Sequence, residues 1–116
     1  MGKGLELYKK FIDGLVERKN GVESKWIMER KYPQNDENKA VNQLLDGLTP
    51  GQKEVLAKMV QEARLGGIHD TLAYIDEMMD CHGLVLSQDG ETYPYDYFES
   101  MHYDFICRCE GDEWPE

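Results

Sequence analysis

Residues 49–80 read TPGQKEVLAKMVQEARLGGIHDTLAYIDEMMD, and how this run divides decides the fold. Thr49 stands where a helix N-cap belongs, Pro50 takes the first helical position and Gln52 the third, which together make a capping box. Val55, Leu56, Met59, Val60 and Ala63 then recur as one apolar stripe. Gly66-Gly67 reads as a stop, because glycine gives up more backbone freedom in a helix than any other residue. A further helix is expected to follow almost at once, with Ile68, Leu72, Ile75 and Met79 on one face. Two helices joined so tightly should form an antiparallel or steeply crossed hairpin.

Upstream, Tyr8, Phe11, Ile12, Leu15 and Val16 recur at helical spacing and predict a helix over about residues 5–19, stopped by Asn20-Gly21. A shorter helix carrying Trp26 and Ile27 is expected over about 22–31, ending before Tyr32-Pro33. Ala40, Val41, Leu44 and Leu45 suggest a third, closed by Gly47. After Gly83 the period changes. Leu84-Val85-Leu86 reads as a strand, Asp89-Gly90 as the centre of a hairpin turn and Thr92-Tyr93 as the returning strand. One short helical turn is expected over 96–101. Between His102 and Cys109, Tyr103, Phe105, Cys107 and Cys109 alternate with His102, Asp104, Ile106 and Arg108, which predicts a half-buried C-terminal strand. The expected class is α+β, mainly α, with about five helices in the first two-thirds of the chain. A small antiparallel β element, hairpin plus C-terminal strand, then completes a single domain over 1–116.

Charge is the most informative bulk property of this 116-residue chain, whose formal net charge is −10. Residues 1–66 hold 12 of the 13 basic and 10 of the 23 acidic residues, a balance of +2, so residues 67–116 carry −12. Such a field repels nucleic-acid backbones and anionic lipid and attracts basic partners. No apolar run approaches the length of a membrane span. Lys9 and Lys10 precede only a short amphipathic stretch, so a cytoplasmic protein without a signal peptide is expected. Three cysteines, Cys81, Cys107 and Cys109, make an odd number that does not suit a disulfide framework.

Few residues carry chemistry. His69 is the first histidine of the chain, so His69-Asp70 lacks the upstream ligand of a His-Asp phosphohydrolase and reads instead as a helix start. Asp76 and Asp80 are four apart, and His69 is seven before Asp76, so the three line one stripe that suits a weak cation site or a metal-dependent hydrolase. Cys81-His82 with Cys107 and Cys109 supplies zinc-ligand types, but two cysteines two apart on a strand suit core packing better. Trp114, set in the acidic ending 110–116, either folds back as an anchor or is offered to a partner, and folding back is the preferred reading.

Several stretches resemble one another's counterparts in a family of short bacterial proteins of unknown function. They are Leu44-Leu45-Asp46-Gly47-Leu48-Thr49-Pro50, Glu62-Ala63-Arg64-Leu65-Gly66-Gly67-Ile68-His69-Asp70, His102-Tyr103-Asp104-Phe105 and the ending Gly111-Asp112-Glu113-Trp114-Pro115-Glu116. The resemblance implies no activity, cofactor or site residue. From the residues themselves, a non-enzymatic, cofactor-free domain that engages a basic protein partner, as immunity or inhibitor proteins do, is preferred over catalysis. Tyr95, Tyr97, Glu99, Asp112 and Trp114 are the candidate contacts, since charge speeds encounter and aromatics supply affinity. A structural or homo-oligomeric role stands as a further alternative.

Overall fold

A computed structural model describes residues 2–29 and 31–116. Its helices are α1 (Gly2–Val16), α2 (Glu23–Met28), α3 (Lys39–Asp46), α4 (Pro50–Cys81) and α5 (Met101–Cys109), with a 3₁₀ turn at Asp36–Asn38. The strands β1 (Ser87–Gln88) and β2 (Glu91–Thr92) pair antiparallel, Ser87 opposite Thr92. The class is therefore α+β, mainly α, as the sequence leads one to expect. No helix among the described residues is long and apolar enough to cross a membrane.

The capping box forms as read. The Gln52 N–H donates to Thr49 Oγ1 at 3.1 Å, and the Thr49 N–H donates to Gln52 Oε1 at 2.9 Å. The helix that it starts does not stop at Gly66-Gly67. It runs through to Cys81 as one element, so the expected pair of helices and the hairpin between them are corrected. Two mid-helix glycines cost only about 1 kcal/mol each against alanine. Apolar residues continue at helical spacing on both sides, and the Thr71 hydroxyl bonds back to the Gly67 carbonyl at 2.8 Å.

The C-terminal strand is also corrected, because residues 101–109 are helix α5. Ser100 caps it by accepting from the Tyr103 N–H, and Met101 and Phe105, four apart, are both fully buried. The alternating pattern placed Ile106 on the polar side, whereas a helix sets Met101 and Phe105 together on one buried face. Where a helical turn was expected over 96–101, residues 96–100 are irregular, with the Tyr97 N–H on the Pro94 carbonyl, and Met101 already begins α5. The hairpin turn is as expected: Asp89 (φ 51°) and Gly90 (φ 79°) both take left-handed backbone, as a type I′ turn demands. Its strands, however, exclude all of Leu84-Val85-Leu86, and Tyr93 stands just past β2. Leu84 and Val85 are exposed, and the Leu84 N–H bonds the Met78 carbonyl at the end of α4 rather than another strand. The helix expected over 22–31 is shorter, and Arg30 within that span lies outside the described residues.

The chain divides into two compact units, Asn20–Leu65 and Met1–Lys19 together with Gly66–Glu116, here the 20–65 unit and the terminal unit. In the 20–65 unit Ile27, Leu45 and Ala57 are buried, and Tyr32, Val41, Leu48, Leu56 and Val60 pack around them. Asn42 is buried there and closes a pair of bonds with the Tyr32 backbone N–H and carbonyl. In the terminal unit α1 packs on α5 and β2, and its core comprises Leu5, Tyr8, Ile12, Leu72, Met79, Tyr93, Met101 and Phe105.

A Cβ added at Gly66 or Gly67 meets nothing within 4 Å. Gly66→Ala with Gly67→Ala should therefore stabilise the chain by about 1–2 kcal/mol through helix propensity alone. Urea unfolding followed by circular dichroism measures it. Destabilisation would mean that α4 is not continuous there.

Candidate functional site

The terminal unit gathers its polar chemistry at the N-terminal end of α5. The first N–H groups of any helix lack intrahelical partners. Here Asp76, from α4 and only 3% exposed, takes two of them: Oδ1 accepts from the Met101 N–H at 3.1 Å and Oδ2 from the His102 N–H at 3.0 Å. Oδ2 also accepts from His102 Nδ1 at 2.5 Å. An ionised carboxylate only accepts, so that proton sits on Nδ1. The His102 ring stands edge-on to that of His69 at 5.1 Å between centroids, and His69 Nδ1 lies 3.3 Å from Asp70 Oδ1.

One turn further along α5, Asp104 is buried and accepts from the Tyr8 hydroxyl at 2.5 Å. Burial raises the Asp104 pKa above its ordinary 3.8, with Asp76 and Glu99 adding to the rise, while the bonds from Tyr8 and the Ser100 backbone oppose it. Burial first, then the bond to Asp104, pushes the Tyr8 phenol far above its ordinary 10.0. Asp80 accepts from the Tyr95 hydroxyl at 2.6 Å, and mainly through that bond Tyr95 is pushed up to about 12.

The structure therefore brings His69 and Asp76 together at His102 but sends Asp80 to Tyr95. Among the described residues no group of three or more His, Cys, Asp or Glu side chains is placed to hold a metal ion. Cys81 is exposed, Cys107 and Cys109 are half-buried, and all three are free thiols. Burial raises the Cys109 thiol above its ordinary 9.0.

At the other end of α5 the chain turns back. Gly111, with φ 93°, lets the Asp112 N–H reach the Cys107 carbonyl and its own N–H reach that of Arg108, a Schellman ending. Trp114 is then held against the unit. Its Nε1–H donates to Asp13 Oδ2 at 3.1 Å, and its ring meets Phe98 at 5.1 Å and Tyr8 at 6.1 Å. Arg108 grips Asp13 with two bonds, 2.8 and 3.2 Å, and lies over the indole at 5.1 Å. Trp114 thus folds back, yet remains part of the surface, for it walls a cavity of about 340 Å³. Phe98, Tyr103, Glu99, Asp104, Asp112 and Glu113 are among the other lining residues, with Arg108.

Three of the five candidate contacts, Glu99, Asp112 and Trp114, meet in that groove. Tyr97 stands beside it, edge-on to Phe98 at 4.9 Å, and Tyr95 is held elsewhere by Asp80. The residues missed on reading the sequence are Asp13 and Tyr8 on α1, and Phe98. They lie far along the chain from their partners, so no local pattern announces them.

A family model, described as a family of unknown function (DUF6547), matches residues 1–116. The chain belongs to the DUF6547 family. No curated protein and no solved structure matches it. In this DUF6547 member the polar contacts of the terminal unit gather at the two ends of α5.

Two outcomes follow from that geometry. Asp76→Ala strips the acceptors of the Met101 and His102 N–H groups, with only Ser100 left to cap α5, and should cost about 2–4 kcal/mol in urea unfolding, against about 1–3 kcal/mol for Tyr8→Phe. Asp104→Asn tests the buried charge. Because the folded pKa is raised, the stability Asp104 contributes is full below 3.8 and is lost as pH rises through the folded value. Asp104→Asn should thus gain most over wild type at neutral pH, with the difference shrinking in acid. A difference that is constant with pH would mean that Asp104 titrates as it does unfolded.

Proposed function

We propose that this chain is a non-enzymatic binding domain, and that the groove beside α5 receives a cationic segment of a basic protein partner. One observation carries the reading: two aromatic walls, Phe98 and Trp114, and four carboxylates, Glu99, Asp104, Asp112 and Glu113, line one cavity whose arginine, Arg108, is already paired with Asp13. A guanidinium or ammonium group entering it meets carboxylates beside rings that already attract cations, Lys9 over Phe98 at 5.8 Å and Arg108 over Trp114 at 5.1 Å. The surrounding field acts in the same direction. The terminal unit holds six basic and sixteen acidic residues, so it accounts for the whole net charge of −10. Long-range attraction speeds encounter, and the groove supplies the contact that persists.

Titration of the full chain with an arginine-rich peptide, followed by calorimetry and Trp fluorescence, tests this. Binding should weaken steeply between about 0.05 and about 0.5 M salt, as expected for exposed charges screened over a few ångströms. Glu99→Gln with Asp112→Asn and Glu113→Gln should weaken it about tenfold or more, at a few tenths to 1 kcal/mol per exposed charge. Neutralising Glu6, Asp70 and Glu77, also exposed acids of this unit, changes the net charge equally and should weaken it far less. Equal loss in both triple variants, or no binding at millimolar peptide, overturns the proposal.

A further inference from the structure

Asp76 orients a ring as well as a helix end. Its Oδ2 holds the proton on His102 Nδ1, so Nε2 is the ring nitrogen that keeps a lone pair. The His102 side chain is 34% exposed and that of Asp76 only 4%, so the ring reaches the surface from a buried carboxylate. Metal-binding histidines are commonly backed by a carboxylate in this way, which fixes the tautomer and makes the outer nitrogen a more basic ligand. His69 of α4 repeats the arrangement more loosely beside it. Its Nδ1 lies 3.3 Å from Asp70 Oδ1, and its side chain is 37% exposed. With a proton on Nδ1, His69 likewise keeps its lone pair on Nε2.

The geometry points to one divalent transition-metal ion of the zinc class bound by His69 and His102 through their Nε2 atoms, with solvent in its other positions. Two nitrogens held about 2.1 Å from one tetrahedral ion set their ring centres about 5 Å apart. The ring centres of His69 and His102 are 5.1 Å apart. Their planes stand at 87°, which such a site tolerates because each ring can turn about its own metal–nitrogen bond. Neither Asp76 nor Asp80 is a ligand, since Asp76 accepts from α5 and Asp80 from Tyr95. Two protein ligands make a weaker site than the four of a structural zinc. The excess of acids in the terminal unit draws any dication, and the imidazoles choose among them. Zinc, nickel and copper take imidazole nitrogen, whereas magnesium and calcium take oxygen. An ion so bound joins α4 to α5 beside the Asp76 contacts, and it stabilises the folded chain over the unfolded one. Neither histidine lines the acidic groove, so this site and the peptide site fail separately.

Calorimetric titration of the full chain with zinc chloride at neutral pH tests the site. One equivalent should bind with micromolar affinity, copper(II) should bind more tightly, and calcium should not compete. Zinc should also raise the melting temperature of the wild-type chain. His69→Ala and His102→Ala should each weaken zinc binding about tenfold or more, with unchanged circular dichroism. His82→Ala and Cys81→Ser, both exposed just beyond or at the end of α4, should leave it intact. Three results refute the site: no zinc binding at about 1 mM, binding that survives both His69→Ala and His102→Ala, or displacement of zinc by equimolar calcium.

Discussion

The terminal unit depends on the carboxylate of Asp76. A nine-residue helix such as α5 has little stability of its own, since so short a helix is marginal in water. Asp76 supplies what is missing, by accepting from both Met101 and His102 where the backbone N–H groups have no other partner. The bond to His102 Nδ1 then fixes the imidazole as well. A charge buried to this degree is tolerable only when each of its lone pairs has work, and here no buried side-chain polar atom among the described residues lacks a partner. With α5 anchored to α4, Met101 and Phe105 are held in the core and Asp104 is brought under the Tyr8 hydroxyl of α1.

The same anchoring explains why the acidic groove has a defined shape. Its walls come from both sides of α5, with Phe98 before the helix and Trp114 after it. An acidic tail of this composition would fray if left to itself. It does not, because Gly111 reverses the chain and Trp114 joins an aromatic and ionic stack of Phe98, Tyr8, Arg108 and Asp13. Asp13 holds the centre of that stack, accepting from Arg108 and from the indole at once. Arg108, although it lines the groove, is thereby paired with Asp13 rather than with one of the groove's carboxylates.

Much of this was legible in the sequence, and where it was not the reason is physical. Thr49, Pro50 and Gln52 announced the start of α4 because capping is local, satisfied within four residues. Asp89-Gly90 announced its turn for the same reason, as left-handed backbone at two successive positions restricts the residue types. Gly66-Gly67 misled because glycine propensity is a penalty of only about 1 kcal/mol, which the helical spacing within each half of α4 overrides even though the apolar face changes between the halves. Residues 102–109 misled because aromatics and cysteines at every second position imitate a strand. The deciding partner of that segment was Asp76, 25 residues upstream of Met101. Asp76 itself read as one of a stripe with His69 and Asp80, and only the folded chain shows it to be the least exposed carboxylate of the molecule's described residues.

The excess negative charge lies wholly in the terminal unit. A chain of net charge −10 destabilises its compact state through self-repulsion wherever like charges crowd. Spreading the excess over the whole surface would lower that repulsion, yet the 20–65 unit carries none of it. The terminal unit accepts the crowding even in its interior, where the Asp76 charge helps to raise the pKa of Asp104. Repulsion of that kind can be offset by bringing in positive charge, and a cation entering the groove beside α5, as proposed, would offset part of it. In the 20–65 unit the charges balance, so no comparable repulsion has to be offset there.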